Sequence, residues 1–447
     1  MNDTICAIST PLGVGGIAVI RVSGDNAIAI ADSIFIGSKS LMQAKANTIH
    51  YGRIINHGET IDEVLVSVFR NPHSFTGEDI VEISCHGSVF IQQTMLQLLI
   101  EKGCRLAQAG EFTKRAFLNG KMDLTQAEAV ADLIAAESKA AHDAALSHLR
   151  GGISGELATL RDRLLQFTSL IELELDFADH EELEFADRAE LQTLAANIEK
   201  HLSELIDTFK TGNAVKNGVP VAIVGATNAG KSTLLNALVG EQRAIVSDIH
   251  GTTRDTIEDS IIIDGIKFRF IDTAGIRQTD NQIEEMGVQR SIAAAQKAEI
   301  ILYVKDATTA DSDNLLADID GLENKTIITL YNKADLLSDC PQSEKNKLYI
   351  SAKNGELADL KSLLVKAVSQ APIAADKVLI TNARHYDALC EARQAIIKVQ
   401  TALKQNLSGE LLSMDLQDCL NALGEITGQI TSQEVLNNVF AHFCIGK

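Results

Sequence analysis

At 447 residues the chain is longer than one hydrophobic core ordinarily organises, so two or three domains are expected. A content of 45% hydrophobic and 22% charged residues is that of a globular protein and excludes long disordered tracts. The formal net charge of −20 excludes a broad basic surface for phosphate backbones, so any nucleic-acid contact is local or supplied by a partner.

The seven cysteines (Cys6, Cys85, Cys104, Cys340, Cys390, Cys419, Cys444) are odd in number and lack C-x-x-C spacing. That argues against a disulfide framework or a zinc site and fits the reducing cytoplasm. The N-terminus carries Asp3 and no basic region, so it does not read as a signal peptide. Its longest uncharged stretch, Thr4 to Ile20, is broken by Pro11, Gly13, Gly15 and Gly16 and reads as strand–turn–strand, not as a membrane span.

Residues 1–119 mix short strands with turns, at 17–24, 61–69 and 79–84, and a helix is expected from Phe90 to Lys102. From Asp123 the chain turns rich in Ala, Leu and Glu at helical spacing, with a break at Gly151-Gly152 and two further helical stretches to about Lys210. The first of these ends in an acid-rich run at 171–185, read as a solvated helix end or hinge, because no fixed ligand spacing accompanies it. Thr211-Gly212 is expected to end the helices. Strands at 219–225, 267–273, 299–306, 325–332 and 347–351 then alternate with helices, which predicts a mostly parallel sheet covered on both faces. After Pro372 the pattern is helical to the end. The expected fold is multidomain. It comprises an α+β N-terminal domain (1–119), a discontinuous all-α domain (120–215 and 372–447), and an inserted α/β P-loop domain (216–371).

Gly225-Ala-Thr-Asn-Ala-Gly230-Lys231-Ser232 matches G-x-x-x-x-G-K-[ST] between an apolar strand and a helix, the context such a loop requires. Backbone N–H groups from Asn228 to Thr233, with Ala229 and Gly230 between, would face the phosphates. Lys231 would reach the β- and γ-phosphates, and the Ser232 hydroxyl would ligate Mg²⁺. Asn332-Lys333-Ala334-Asp335 follows a strand where a base would lie. The Asp335 carboxylate can accept from guanine N1–H and the 2-amino group, and adenine offers neither donor. Ser351-Ala352-Lys353 completes a base-binding loop. Asp272-Thr273-Ala274-Gly275 would meet Mg²⁺ through water and the γ-phosphate, and Thr253 would lend a hydroxyl to Mg²⁺. Asp264-Gly265 predicts a hairpin between the two strands beside the site. These residues read as a GTP-hydrolysing enzyme.

Two departures from the Ras type follow. The position after Gly275, where Ras-type enzymes carry a water-orienting Gln, is Ile276, so another residue must act; Asp280, Glu284 and Glu285 are the candidates. Asn228 could ligate a monovalent cation, with carbonyls from 247–252 closing the cage, or could merely shape the loop.

With these motifs, and with PLGVGGIAVIRVSG, SFTGEDIVEISCHGS, AGEFTKRAFLNGKMDLTQAEAVADLI and the terminal FCIGK, the chain resembles the MnmE (TrmE) family of tRNA-modification GTPases from Thr4 to Lys447. The resemblance implies a folate-binding N-terminal domain that dimerises, a split helical domain and an inserted GTPase domain. It implies action with the FAD-binding MnmG (GidA), as a heterotetramer of two homodimeric proteins. Together these add aminomethyl or carboxymethylaminomethyl groups to C5 of the wobble uridine of certain tRNAs. A 5-formyl- or methylene-tetrahydrofolate is the implied one-carbon donor, and FAD enters only through the partner. GTP hydrolysis is implied to accompany K⁺-dependent dimerisation of the GTPase domains. Carried over by position, Asn228, Ser247, Ile249 and Thr252 ligate K⁺, and Asp248 adjoins the nucleotide. Glu284 orients the water, and Arg21, Glu82, Lys121 and Lys447 contact the folate. Cys444 becomes a candidate reactive thiol; its Cys-Ile-Gly-Lys ending fits prenylation poorly. One departure is Ala226-Thr227, where the family usually has Arg-Pro. Without the resemblance, Arg21 reads as a snorkelling strand arginine, Glu82 as a strand-edge carboxylate and Lys121 as a turn lysine. Two competing readings are a ribosome-assembly or translation-type GTPase without modification chemistry, and a folate-dependent one-carbon enzyme with a regulatory GTPase insert.

Overall fold

A computed structural model of the chain describes residues 3–176, 188–240, 259–271, 292–309, 325–337, 346–368, 378–405, 407–441, 443 and 446. The chain forms two compact units, one from residues 1–135, 145–200 and 388–447, the other from 136–144 and 201–387.

In the first unit, seven strands form one sheet: β1 (Ile5–Ile8), β2 (Gly15–Ser23), β3 (Phe35–Gly37), β4 (Thr48–Asn56), β5 (Glu59–Phe69), β6 (Ile80–Gly87) and β7 (Arg105–Leu106). Their order is β3-β4-β5-β6-β2-β1-β7, antiparallel except where β1 meets β7. Alternation sets the buried face: Val64, Val66 and Val68 on β5 point inward while Glu63 and Leu65 point out. Met95, Leu98 and Leu99 from a helix at Val89–Glu101 pack onto that face, one residue from the predicted start and end.

The helix Glu111–Leu118 carries Arg115, which is buried among carboxylates. Its Nη2 donates to Asp3 Oδ1 at 2.9 Å and Glu111 Oε1 at 3.1 Å, and its Nη1 to Glu78 Oε2 at 3.2 Å. Arg105 closes the ring, with Nε on Asp3 Oδ2 at 2.7 Å and Nη1 on Glu111 Oε2 at 3.0 Å. Burial alone would raise the Glu111 carboxyl, but hydrogen bonds from Arg105, the Gln108 amide and Arg115 outweigh it and hold the group below its ordinary value. The Arg105 hydrogen bond lowers Asp3 likewise.

The helical part departs from expectation in two places. The stretch from 123 is two helices, Leu124–Ala135 and Lys139–Leu149, and Ser138 starts the second by accepting from the Ala141 amide at 3.1 Å. Next comes Gly152–Asp176, whose Leu157, Leu160, Leu164, Phe167 and Ile171 form a buried stripe at three- and four-residue spacing. This stripe packs with the helix Gly409–Thr427. Secondly, Thr211-Gly212 does not end the helices. A helix runs Phe209–Asn217 through both, because Gly212 lies against the Ile380 carbonyl, where an added Cβ would stand 2.2 Å from the oxygen. The glycine marks a close approach, not a terminus. Of the acid-rich run, residues 171–176 complete the Gly152–Asp176 helix, and the rest lies outside the described residues.

The second unit holds six strands: β8 (Val219–Gly225), β9 (Asp259–Ile263), β10 (Ile266–Phe270), β11 (Ile300–Asp306), β12 (Thr326–Asn332) and β13 (Lys347–Ile350). Their order is β13-β12-β11-β8-β10-β9, all parallel except the β9–β10 hairpin. Asp264 and Gly265 both have positive φ (48° and 81°), the two-residue turn their sequence predicts. On β8, Val221 and Ile223 face one core, with the helix Lys231–Gly240, while Ala222 and Val224 face another, with Ala295 and Tyr303. Burial on both faces is why these strands read as continuous apolar runs. Residues 136–144 belong to this unit, and Glu137 Oε2 accepts from Lys267 Nζ at 2.7 Å.

Replacing Arg115 tests the buried network. Arg115→Met removes the guanidinium shared by Asp3, Glu78 and Glu111, leaving Arg105 on Asp3 and Glu111 alone, and is expected to destabilise the first unit by about 3–5 kcal/mol. Folded-state carboxyl values below the unfolded ones contribute stability that is full above roughly pH 4.5 and lost as the pH falls through the folded values. Calorimetric melting between pH 3 and 7 should therefore show a smaller acid-side dependence in the variant than in the parent.

Candidate nucleotide site

Gly225, Asp306, Asn332 and Ile350 end four parallel strands, and the loops that follow leave the same edge of the sheet. Ligands bind in such sheets outside the carboxyl ends of the strands. The P-loop follows β8 directly. Gly225 has φ +150°, and a Cβ there would lie 2.0 Å from the Val304 carbonyl oxygen. At Gly230, φ is +95° and a Cβ would lie 2.1 Å from Asn332 Nδ2. Only glycine lets the backbone pass so close at both points.

Asn228 is exposed with φ +63°, a left-handed conformation that Asn tolerates better than most residues. Lys231 opens the helix and donates to the carbonyls of Gly225 at 2.8 Å and Ala226 at 2.7 Å. Its ammonium thus bridges the mouth of its own loop. Ser232 is half-buried and Thr233 exposed in the first helical turn.

Asn332 is buried and joins two loops: its Nδ2 donates to Ala229 O at 2.9 Å, and its Oδ1 accepts from Ala352 N at 3.1 Å. Lys333 has φ +67°. Asp335 is exposed, and its Oδ1 accepts from Ser351 Oγ at 2.7 Å. Lys353 is exposed. The structure therefore brings Ala229, Gly230, Asn332, Asp335, Ser351 and Ala352 into one hydrogen-bonded or contacting group.

Sequence reasoning missed Asp306 and Thr308. Lys333 Nζ donates to Asp306 Oδ2 at 2.5 Å, while the Thr308 amide and hydroxyl donate to Oδ1 at 2.9 and 2.6 Å. Lys333 first, then Thr308, draws the Asp306 carboxyl down to about 2. The position of Asp306 at the carboxyl end of a parallel strand was the available signal.

Ser247, Asp248, Ile249, Thr252, Thr253, Asp272, Thr273, Ala274, Gly275, Asp280, Glu284 and Glu285 lie outside the described residues, as do Cys444 and Lys447.

In the first unit, Arg21 and Glu82 stand opposite each other on β2 and β6, with Nε of Arg21 on Oε1 of Glu82 at 2.9 Å. The guanidinium lies 5.5 Å from the ring centres of Phe75 and Phe112. Both bonds from Arg21 fall on Oε1, which leaves Glu82 Oε2 without a protein partner among the described residues. Lys121 Nζ donates to the Pro72 carbonyl at 2.9 Å, on the loop that carries Phe75. Gly446 O accepts from Ser9 Oγ at 3.1 Å, so the C-terminus reaches the end of β1. Cys6, Cys85, Cys104, Cys390 and Cys419 are free thiols, and burial pushes Cys85 to about 11 and Cys419 to about 12. Among the described residues no His, Cys, Asp or Glu cluster could hold a metal, and no helix is long and apolar enough to cross a membrane.

Two family models match the chain: "GTP-binding protein TrmE N-terminus" over residues 4–121 and "MnmE helical domain" over 124–444. A protein of Parabacteroides distasonis called tRNA modification GTPase MnmE is 55% identical over 460 residues, covering 100% of both chains. Proteins of the same name in Bacteroides fragilis and Flavobacterium johnsoniae are 53% and 50% identical, covering all of this chain and 100% and 99% of their own.

Gly230→Ala puts a methyl group against Asn332 and forces a strained φ. It is expected to weaken binding of a fluorescent GDP analogue by about 100-fold or more, some 2.7 kcal/mol. Equilibrium titration measures this, with thermal melting to show that the fold persists.

Proposed function

The chain belongs to the MnmE (TrmE) family of tRNA-modification GTPases, and on that footing we propose how it works. It hydrolyses GTP while acting with an FAD-binding partner of the MnmG (GidA) type. Together they add aminomethyl or carboxymethylaminomethyl groups to C5 of the wobble uridine of certain tRNAs. The observation that carries this reading is the meeting of the phosphate loop and the base loops on Asn332, within a chain half identical to the named relatives over its whole length.

The residues take these roles. Backbone groups of 228–233 hold the phosphates, and Lys231 leaves its loop carbonyls for the β- and γ-phosphates. Asp335, already oriented by Ser351, accepts from the guanine N1–H and 2-amino group. Glu284 orients the attacking water in place of the Ras-type Gln. The hydroxyl of Ser232, at the first helical turn, suits a hard cation, and with Thr253 it holds Mg²⁺. Asn228, Ser247, Ile249 and Thr252 hold K⁺; the left-handed backbone at 228 already accounts for an asparagine there, so the cation role is a separate claim. Bound Mg²⁺ and K⁺ supply positive charge against the negative charge of the transferring phosphoryl group.

Residues 1–119 form the folate-binding and dimerising part, 120–215 with 372–447 the helical part, and 216–371 the GTPase part. Arg21 donors, the unpartnered Glu82 Oε2 and the Phe75 ring suit a pterin, which offers N–H groups and a π face. Lys121 and Lys447 complete that site, and Cys444 is the candidate reactive thiol. A bound tetrahydrofolate derivative supplies the one-carbon unit. The protein acts in the cytoplasm as a homodimer that joins two partner chains.

Nucleoside analysis of tRNA from a deletion strain is expected to show loss of the C5 substituent at the wobble uridine; unchanged tRNA sinks the reading. In KCl, GTP turnover should exceed that in NaCl of equal ionic strength by about 10-fold or more, a floor well under the roughly 10³–10⁵ that a supplied arginine adds. The same assay on Glu284→Ala should lose turnover with nucleotide binding intact. Equal rates in both salts remove K⁺ from Asn228.

A further inference from the structure

We propose that Asp306 is a positioning residue of the guanine site, fixing Lys333 so that its side chain forms one wall of the base pocket. The inference rests on the reading of 332–335 and 351–353 as the base loops. Asp306 stands in register with Asn332 across β11 and β12, and the Ala307 amide donates to the Asn332 carbonyl at 2.8 Å. That pairing sets the Asp306 carboxylate beside the next residue, Lys333.

The carboxylate is oriented from both ends. Two donors from Thr308 occupy Oδ1, which turns Oδ2 to Lys333 Nζ at 2.5 Å. Lys333 is itself constrained, since its φ of +67° places it in a narrow backbone well. The backbone is set at one end and the ammonium held at the other, so the four-carbon stem runs from the residue after Asn332 to the carboxylate at the end of β11. An apolar strip of this kind can lie against a flat aromatic ring. Without Asp306 the stem regains its rotamers, and the nucleotide must order them on binding. The carboxylate also cancels the lysine charge locally, which leaves the neutral base edge to Asp335.

The test is nucleotide titration and steady-state GTP turnover by the full chain. Asp306→Asn is expected to raise both the Kd for a fluorescent GDP analogue and the KM for GTP by about tenfold, with kcat within about twofold. Asp306→Glu should recover most of that loss. Thr308→Val, which removes one orienting donor, should weaken binding by about threefold. In a Lys333→Met background, Asp306→Asn should add nothing further, because the first change has already removed what the second acts through. Wild-type affinity in Asp306→Asn or in Thr308→Val overturns the proposal, as does full additivity with Lys333→Met or a fall in kcat at constant KM. If Asp306→Asn does not fold, the Thr308→Val and Asp306→Glu measurements decide alone. Asp335→Asn separates the two claims: should it leave the preference for guanosine over adenosine intact, the base-site reading fails. If it abolishes the preference while Asp306→Asn changes nothing, only the role of Asp306 falls.

Discussion

One buried carboxamide holds the nucleotide site together. Asn332 donates with one end to the phosphate loop and accepts with the other from the loop after β13, so neither polar atom is left unpaired away from water. An aspartate at this position could accept but not donate, and a glutamine would carry its amide about one carbon–carbon bond too far. The constraint propagates. Gly230 must lack a side chain because Asn332 Nδ2 occupies the space, and Ser351 is set where it can orient Asp335 because Ala352 is tied down next to it. The backbone at Lys333 takes its left-handed turn immediately after the tie.

The two units use charge differently. In the first, Arg115 is buried beside Glu111 and Glu78 and reaches out to the exposed Asp3, so its contribution is to hold Asp3, Glu78 and the 111–118 helix in one arrangement. Nearby, Arg21 and Glu82 are only half-buried and keep an oxygen to spare, which is the pattern of groups that can exchange a protein partner for a ligand. In the second unit, Lys231 rests on loop carbonyls that release it without leaving a buried charge alone.

Much of this was legible in the chain. The apolar run 219–225 matches β8 residue for residue, since a strand buried on both faces has no alternation to blur its ends. The Asp264-Gly265 turn and the glycine spacing of the phosphate loop are dictated by local backbone geometry, and local geometry is written locally. What escaped depends on distant neighbours. Gly212 looked like a helix end because its true reason, the Ile380 carbonyl, lies 168 residues further along. The break at 136–138 hides inside an unbroken helical pattern, and Asp306 sits outside every recognisable motif, its meaning supplied by Lys333 across the sheet.

The close approach at Gly212 has a consequence for how this architecture could arise. Ile380 donates its amide to Thr208 Oγ1 at 3.0 Å, and Phe209 stacks on Tyr386 with ring centres 4.4 Å apart. The polypeptide therefore leaves for the six-stranded sheet and returns from it at one seam. A gene fragment encoding roughly residues 213–379 could be spliced out and its flanks rejoined by a short peptide without pulling either flank across space. Such a seam makes the six-stranded sheet a portable part, one that can be removed or inserted while its two flanks stay where they are.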